Sequence, residues 1–263
     1  MNKSYSSVLH QRFLKFILGV NKSCTNMATL GELGELPLQV KGVTALLSFW
    51  HRVTQMPDNT LVKQAYIYSL ENESFQSEWI ASVKFLLQYL GLENYFRNPS
   101  AVNKNQFKTV CKAKLKEIIV EQWDMYMDNI GDGNKLRFYK TFKNHFGREP
   151  YLDLLSDFQL RKIITKFRCS DHKLEIEKGR HRQLRVEERI CKICLTEVES
   201  ELHFLQKCPT YGNIRLQVFG DNPEQINWNN ILKCKNRKSA YSLANFLVKA
   251  FKLRERVLAL PKV

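Results

Sequence analysis

A chain of 263 residues with 44% apolar and 11% aromatic side chains can bury a sizeable core, which excludes a wholly disordered protein. Its 41 Lys and Arg against 26 Asp and Glu leave a formal net charge of +15, which disfavours cationic partners and favours a polyanion, nucleic acid ahead of a membrane surface. Seven cysteines, an odd number of which only three cluster, fit a reducing compartment (nucleus or cytoplasm) better than a secreted disulfide framework.

The N-terminus reads as no signal peptide, and "FLKFILGV" (13–20) is interrupted by Lys15 and too short to span a bilayer. Val8, Phe13, Leu14, Phe16 and Ile17 fall near helical spacing and predict a helix over 4–18. The glycines and proline of "LGELGELPL" (30–38) predict a turn. A helix over 41–54 follows, with Val43, Leu46, Leu47, Trp50 and Val53 on one face. "MPDNT" (56–60) reads as a stop and then a cap, Asn59 or Thr60, for a helix through "LVKQAYIYSLEN".

Two more helices are predicted over 76–90, ended by Gly91, and over 105–128, where Lys108, Lys112, Lys114 and Lys116 interleave with apolar positions. "GDGN" (131–134) breaks the chain before helices at 135–146 and 152–167. In "HKLEIEKGRHRQ" (172–183), Leu174 and Ile176 alternate with charge as in a short strand, with a turn at Gly179. A last helix over 237–258 places Leu243, Leu247, Phe251 and Val257 inward, and Lys249, Lys252, Arg254 and Arg256 towards solvent. The expectation is a mainly α protein: a helical body over 1–168 and, over 169–263, a small zinc-binding module with C-terminal helices.

The module rests on "CKICLTEVESELHFLQKCPTY" (191–211), in which Cys191, Cys194, His203 and Cys208 make C-x2-C-x8-H-x4-C. Zinc takes four such ligands at tetrahedral angles, about 2.0–2.3 Å away. Two cysteines three apart can turn around one ion, and the histidine and last cysteine form the second pair. Three thiolates and one imidazole leave no open position for water, which makes the expected site structural, not catalytic. In so short a segment, ligation can contribute on the order of 10 kcal/mol to folding. The gap "LTEVESEL" is longer than in a retroviral knuckle and lacks its glycine, so base stacking of that kind does not carry over.

Basic residues crowd this region. Arg168, Lys173, Arg180, His181, Arg185 and Arg189 are the expected contacts to phosphate, which give affinity without reading sequence. Aromatic residues nearby are few (Phe167, Phe204, Tyr211), so backbone binding is better supported than base stacking.

The string "FRCSDHKLEIEKGRHRQLRVEERICKICLTEVESELHFLQKCPTY" (167–211) resembles the segment that follows the polymerase core in LINE-type non-LTR retrotransposon reverse transcriptases. The matching residues are Arg168, Ser170, His172, Leu174, Ile176, Glu177, Gly179, Arg180 and Arg189, followed by the four ligands. The upstream "LGELG…PL" is also similar to the region just past the thumb of such elements, though the likeness is sharp only over 167–211. The resemblance implies a helical C-terminal region with a zinc knuckle that helps hold template RNA and target DNA.

That family's polymerase needs paired aspartates, and this chain has no Asp-Asp pair; "YMDN" (126–129) falls in a helical pattern instead. "SDH" (170–172) is not read as an endonuclease triplet, because the helical pattern upstream supplies no β-sandwich; His172 is expected to pack or touch phosphate. The expectation is therefore a non-catalytic, zinc-binding, nucleic-acid-binding fragment of a LINE-like reverse transcriptase, with no small-molecule substrate and no membrane partner. The alternatives are a zinc-scaffolded protein-interaction adaptor and a retroelement remnant with no selected role.

Overall fold

The computed structural model describes residues 5–72, 77–220 and 226–260, so the expected helix starts at 4 and 76 lie outside the described residues. The fold is mainly α, and among the described residues the only β features are two isolated antiparallel bridges, Leu33 with Arg148 and Ile190 with Val198. In chain order the helices are α1 (Tyr5–Leu18), α2 (Asn26–Leu33), α3 (Leu38–Thr54), α4 (Leu61–Glu71), α5 (Glu78–Tyr89), α6 (Glu93–Arg97) and α7 (Lys104–Asp128). There follow α8 (Arg137–Lys140), α9 (Tyr151–Leu154), α10 (Phe158–Arg168), α11 (Glu175–His181), α12 (Gly212–Phe219), α13 (Trp228–Leu232) and α14 (Arg237–Ala259). None of the described helices is long and apolar enough to cross a membrane.

The chain forms two compact units, one from residues 1–7 and 36–122, the other from 8–35 and 123–263. The first has its own core of Leu47, Trp50, Val53, Ile80, Val83, Leu87, Phe107 and Cys111. Trp50 stacks on Phe96 with centroids 5.6 Å apart, and its indole N–H donates to the Tyr66 hydroxyl at 3.2 Å. Ser77 caps α5 by accepting from the Ile80 amide. Thr60 does stand at the N-cap of α4, but its hydroxyl donates to the Pro57 carbonyl and caps no amide. "YMDN" lies at the end of α7, as its helical pattern indicated.

The second unit carries the Cys/His cluster, and its core runs through α10 and α14. An expected boundary at 168/169 falls inside this unit. The reason is a buried ionic cluster. Arg168, fully buried at the end of α10, makes a two-pronged contact with Glu32 of α2 (2.8–3.2 Å). It also pairs with Glu149 at 2.6 Å and donates to the Leu232 carbonyl. Glu149 takes Lys143 as a second partner at 2.5 Å, and Tyr151 donates to Glu32 at 2.5 Å. Charges this far from water persist only when paired and hydrogen-bonded, so residues 8–35 and the helix before the knuckle form one body with it.

"LGELG" is thus a helix end and not only a turn. Gly34 adopts φ +63° as the left-handed cap of α2, and a Cβ there would meet the Arg148 backbone. The helix expected over 152–167 is split into α9 and α10, with Asp157 capping the latter through the Gln159 amide at 2.7 Å. The helix expected over 135–146 is only the single turn of α8 before the chain enters turns.

The largest departure is 172–183, expected as a strand and folded as α11. Alternation assigned Glu175 and Glu177 to solvent, whereas both are buried and paired with arginines. Helix polarity also favours this outcome: Glu175 and Glu177 lie in the first turn, and Lys178, Arg180 and His181 in the last. Gly179 is needed for close approach and not for a turn, since a Cβ there would overlap the aliphatic part of the Arg189 side chain, with Cδ at 2.9 Å. Arg254, expected at the surface of the last helix, is likewise buried.

Candidate metal centre and its basic surroundings

Cys191, Cys194, His203 and Cys208 come together as the spacing required: one donor atom from each lies within 4.8 Å of every other. A tetrahedron with metal–sulfur bonds of 2.3 Å has edges of about 3.8 Å, so the four donors need only a small contraction to close around one ion. The first pair sits on a tight turn in which the Leu195 amide donates to the Cys191 carbonyl, with Leu195 at φ +59°. The bridge between Ile190 and Val198 closes the base of that turn. The second pair spans a π-helical turn, His203–Lys207, and the Cys208 amide donates to the His203 carbonyl at 2.9 Å. This wider turn brings a histidine and a cysteine five apart onto one side, which an ordinary α-turn does not do as directly.

His203 Nε2 is 3.3 Å from Cys194 Sγ, so that nitrogen faces the group. Its Nδ1 points to the Glu197 carboxylate at 3.5 Å, too long for a good hydrogen bond but the usual direction for a carboxylate that orients a ligating imidazole. The neighbouring Cys208 pushes the Cys191 thiol up, with burial adding to it, while Cys191 in turn draws the Cys208 thiol down. Thiols this close do not readily all lose their protons, and a cation among them removes that obstacle. The donor set therefore fits a metal ion.

The acidic residues between the ligands fasten the turn to the helices. Glu199, beside Cys191 Sγ at 3.8 Å, accepts two bonds from Arg254 of α14 at 2.8 and 2.7 Å and one from the Glu175 amide at 2.6 Å. Glu201 accepts from Arg137 of α8 at 3.1 Å, from Ser170 at 3.2 Å and from His172 Nε2 at 3.2 Å. Burial acts to raise the Glu201 pKa, but His172 and Arg137 outweigh it and hold the carboxyl below its ordinary value. Arg137 also reaches Glu177 at 2.9 Å, which in turn binds Arg180.

The six residues expected on phosphate divide accordingly. Arg168 is no surface contact, because its guanidinium is consumed by Glu32 and Glu149 in the core. Arg189 is half-buried and donates to the Leu184 and Ile176 carbonyls, which ties α11 to the knuckle. Arg180 is half-buried against Glu177. Lys173, His181 and Arg185 are exposed; Lys173 lies 3.8 Å from Glu255 and Arg185 3.4 Å from Glu188, loose pairs that leave both available. The residues of 167–211 outside the ligands are thus largely braces: Arg168, Ser170, His172, Glu177, Gly179 and Arg189 each hold another segment in place.

The sequence did not reveal Lys135. It is nearly buried, donates to the Ser23 carbonyl 112 residues away, and lines a cleft with Lys166 and Lys173. No local pattern announces a contact over that distance.

The class these features define is a mainly α protein whose second unit encloses a Cys3His group able to hold a metal ion. No protein-family model matches the chain, and no curated protein or solved structure does.

Proposed function

We propose that Cys191, Cys194, His203 and Cys208 hold a structural zinc ion and that the unit around them binds nucleic acid through its phosphates. On this reading the chain corresponds to the C-terminal part of a LINE-type reverse transcriptase, without a catalytic centre of its own, working in the nucleus or cytoplasm. The observation that carries the reading is the convergence of the four donors, three of them buried, within 4.8 Å of one another. Zinc would supply a cross-link between the turn at 191–194 and the one at 203–208. Lys173, His181 and Arg185 are the exposed side chains that would meet phosphate; a brace such as Arg168 would act only through the fold.

The test is metal content of the purified protein together with RNA and duplex DNA affinity over a range of salt. One zinc per chain and an affinity that falls steeply with salt support the reading. No zinc, or no salt-sensitive binding, refutes the corresponding half.

A protein-interaction role has its own support in α1, where Tyr5, Leu9, Phe13 and Phe16 are all more than half exposed at helical spacing. Salt-insensitive capture of a protein partner, abolished by Phe13→Asp and Phe16→Asp, would favour that role.

A further inference from the structure

The second unit contains a cleft of about 380 Å³ whose wall includes the triplet Ser170-Asp171-His172. Its volume is in the range of small-ligand sites. Three features set it apart from an ordinary surface groove. One is a fixed stretch of wall: Ser170 adopts φ 52°, rare for a residue with a side chain, and its hydroxyl is held on Glu201. Asp171 accepts both the backbone amide and the side-chain amide of Asn21, at 2.8 and 2.9 Å.

The second feature is His172. Its side chain is 2% exposed, and Nε2 faces the Glu201 carboxylate, a contact in which the ring supplies the hydrogen. Nδ1 is buried and has no partner among the described residues.

The third feature is the distribution of polarity. Ile163 and Phe251 give an apolar patch, while Lys135, Lys166 and Lys173 bring positive charge to the same cleft. Lys166 is half-buried and makes no ion pair among the described residues. Of the acids in the wall, Glu177 is compensated by Arg137 and Arg180, Asp171 accepts from Asn21, and Glu255 lies 3.8 Å from Lys173. An apolar patch, an unpartnered ring nitrogen and the free Lys166 ammonium together match a ligand with a flat ring, a polar edge and a negative charge.

We infer that this cleft receives one unpaired nucleotide of a single strand: the base lies against Ile163 and Phe251 with its polar edge towards His172, and a backbone phosphate meets Lys166 and Lys173. The inference rests on the nucleic-acid reading above and narrows it to a single-stranded segment and one place. A base inside a duplex is stacked on both faces and cannot enter, so the cleft discriminates by strandedness.

The experiment uses the full-length, metal-loaded protein with fluorescent 12-nucleotide RNA and DNA single strands and the matched duplexes. Ile163→Trp fills the cleft and Lys166→Glu reverses its free charge; melting temperature and metal content report whether each variant is folded. The expected result is a loss of single-strand affinity of tenfold or more in both variants, with duplex affinity changed less than threefold. Folded variants that bind single strands as tightly as the wild type overturn the cleft but leave the nucleic-acid reading standing. A wild-type protein that binds neither single strands nor duplexes overturns both.

Discussion

Replacing Arg168 by alanine separates a brace from a ligand contact. The guanidinium is fully buried between Glu32 and Glu149, lies over the Phe142 ring at 4.6 Å, and donates to the Leu232 carbonyl. Its removal leaves two carboxylates in the core with only Lys143 and the Tyr151 hydroxyl as partners. Breaking a buried pair from one side costs about 3–5 kcal/mol. For a unit of this size each kcal/mol shifts the melting temperature by about 2–4 °C, so Arg168→Ala is expected to melt roughly 6–20 °C lower. Arg185→Ala, at an exposed position, is expected to stay within about 0.5 kcal/mol of wild type. Thermal melting by circular dichroism, followed by limited proteolysis, reads both. If Arg168→Ala melts with the wild type and instead binds nucleic acid with a shallower salt dependence, the side chain belongs on a phosphate and the buried cluster does not exist.

Four further outcomes are expected. Cys194→Ser should abolish stoichiometric metal binding and make residues 190–211 the first segment cut by protease; full metal occupancy would rule out the ligand set. Glu197→Gln should weaken metal binding by about 10–100-fold in a chelator competition, as loss of a carboxylate behind a ligating histidine does, and an unchanged affinity would show that Glu197 does not orient His203. Because the Glu201 carboxyl is held below its ordinary value, it stabilises the fold fully above the ordinary carboxylate range, and that contribution is lost as pH falls through the lowered value. Glu201→Gln should therefore flatten the acid limb of stability against pH; an unaltered limb argues against the pairing. Gly34→Ala should destabilise by about 1–3 kcal/mol or more, given its left-handed backbone and the neighbouring Arg148 chain, and a wild-type melt would contradict that geometry.

Long, strongly periodic helices were legible in the sequence: α3, α5, α7 and α14 lie within a few residues of the expected spans. So was the Cys3His group, because its four ligands are close in sequence and metal chemistry restricts their spacing. What misled was charge. Glu175, Glu177, Glu199, Glu201 and Arg254 look like surface residues by type, and each is buried because its counter-ion arrives from a distant segment. Glu32 and Arg168 are 136 positions apart, and neither local periodicity nor composition links them. The same blindness hid the true extent of the second unit and the cleft at Lys135.

The second unit is interrupted: its chain leaves after Glu35 and returns at Trp123. During synthesis, residues 8–35 emerge with Glu32 exposed, and its partner Arg168 follows only 136 residues later. At ordinary translation rates that is a wait on the order of ten seconds, long enough for residues 36–122 to complete their own core first. Until Trp123 is made, Leu30 and Leu33 of α2 lack every later member of their core cluster, and the metal ligands are later still. The stretch most exposed to a chaperone, or to misassembly, is therefore near the start of the chain, far from the metal group whose arrival completes it.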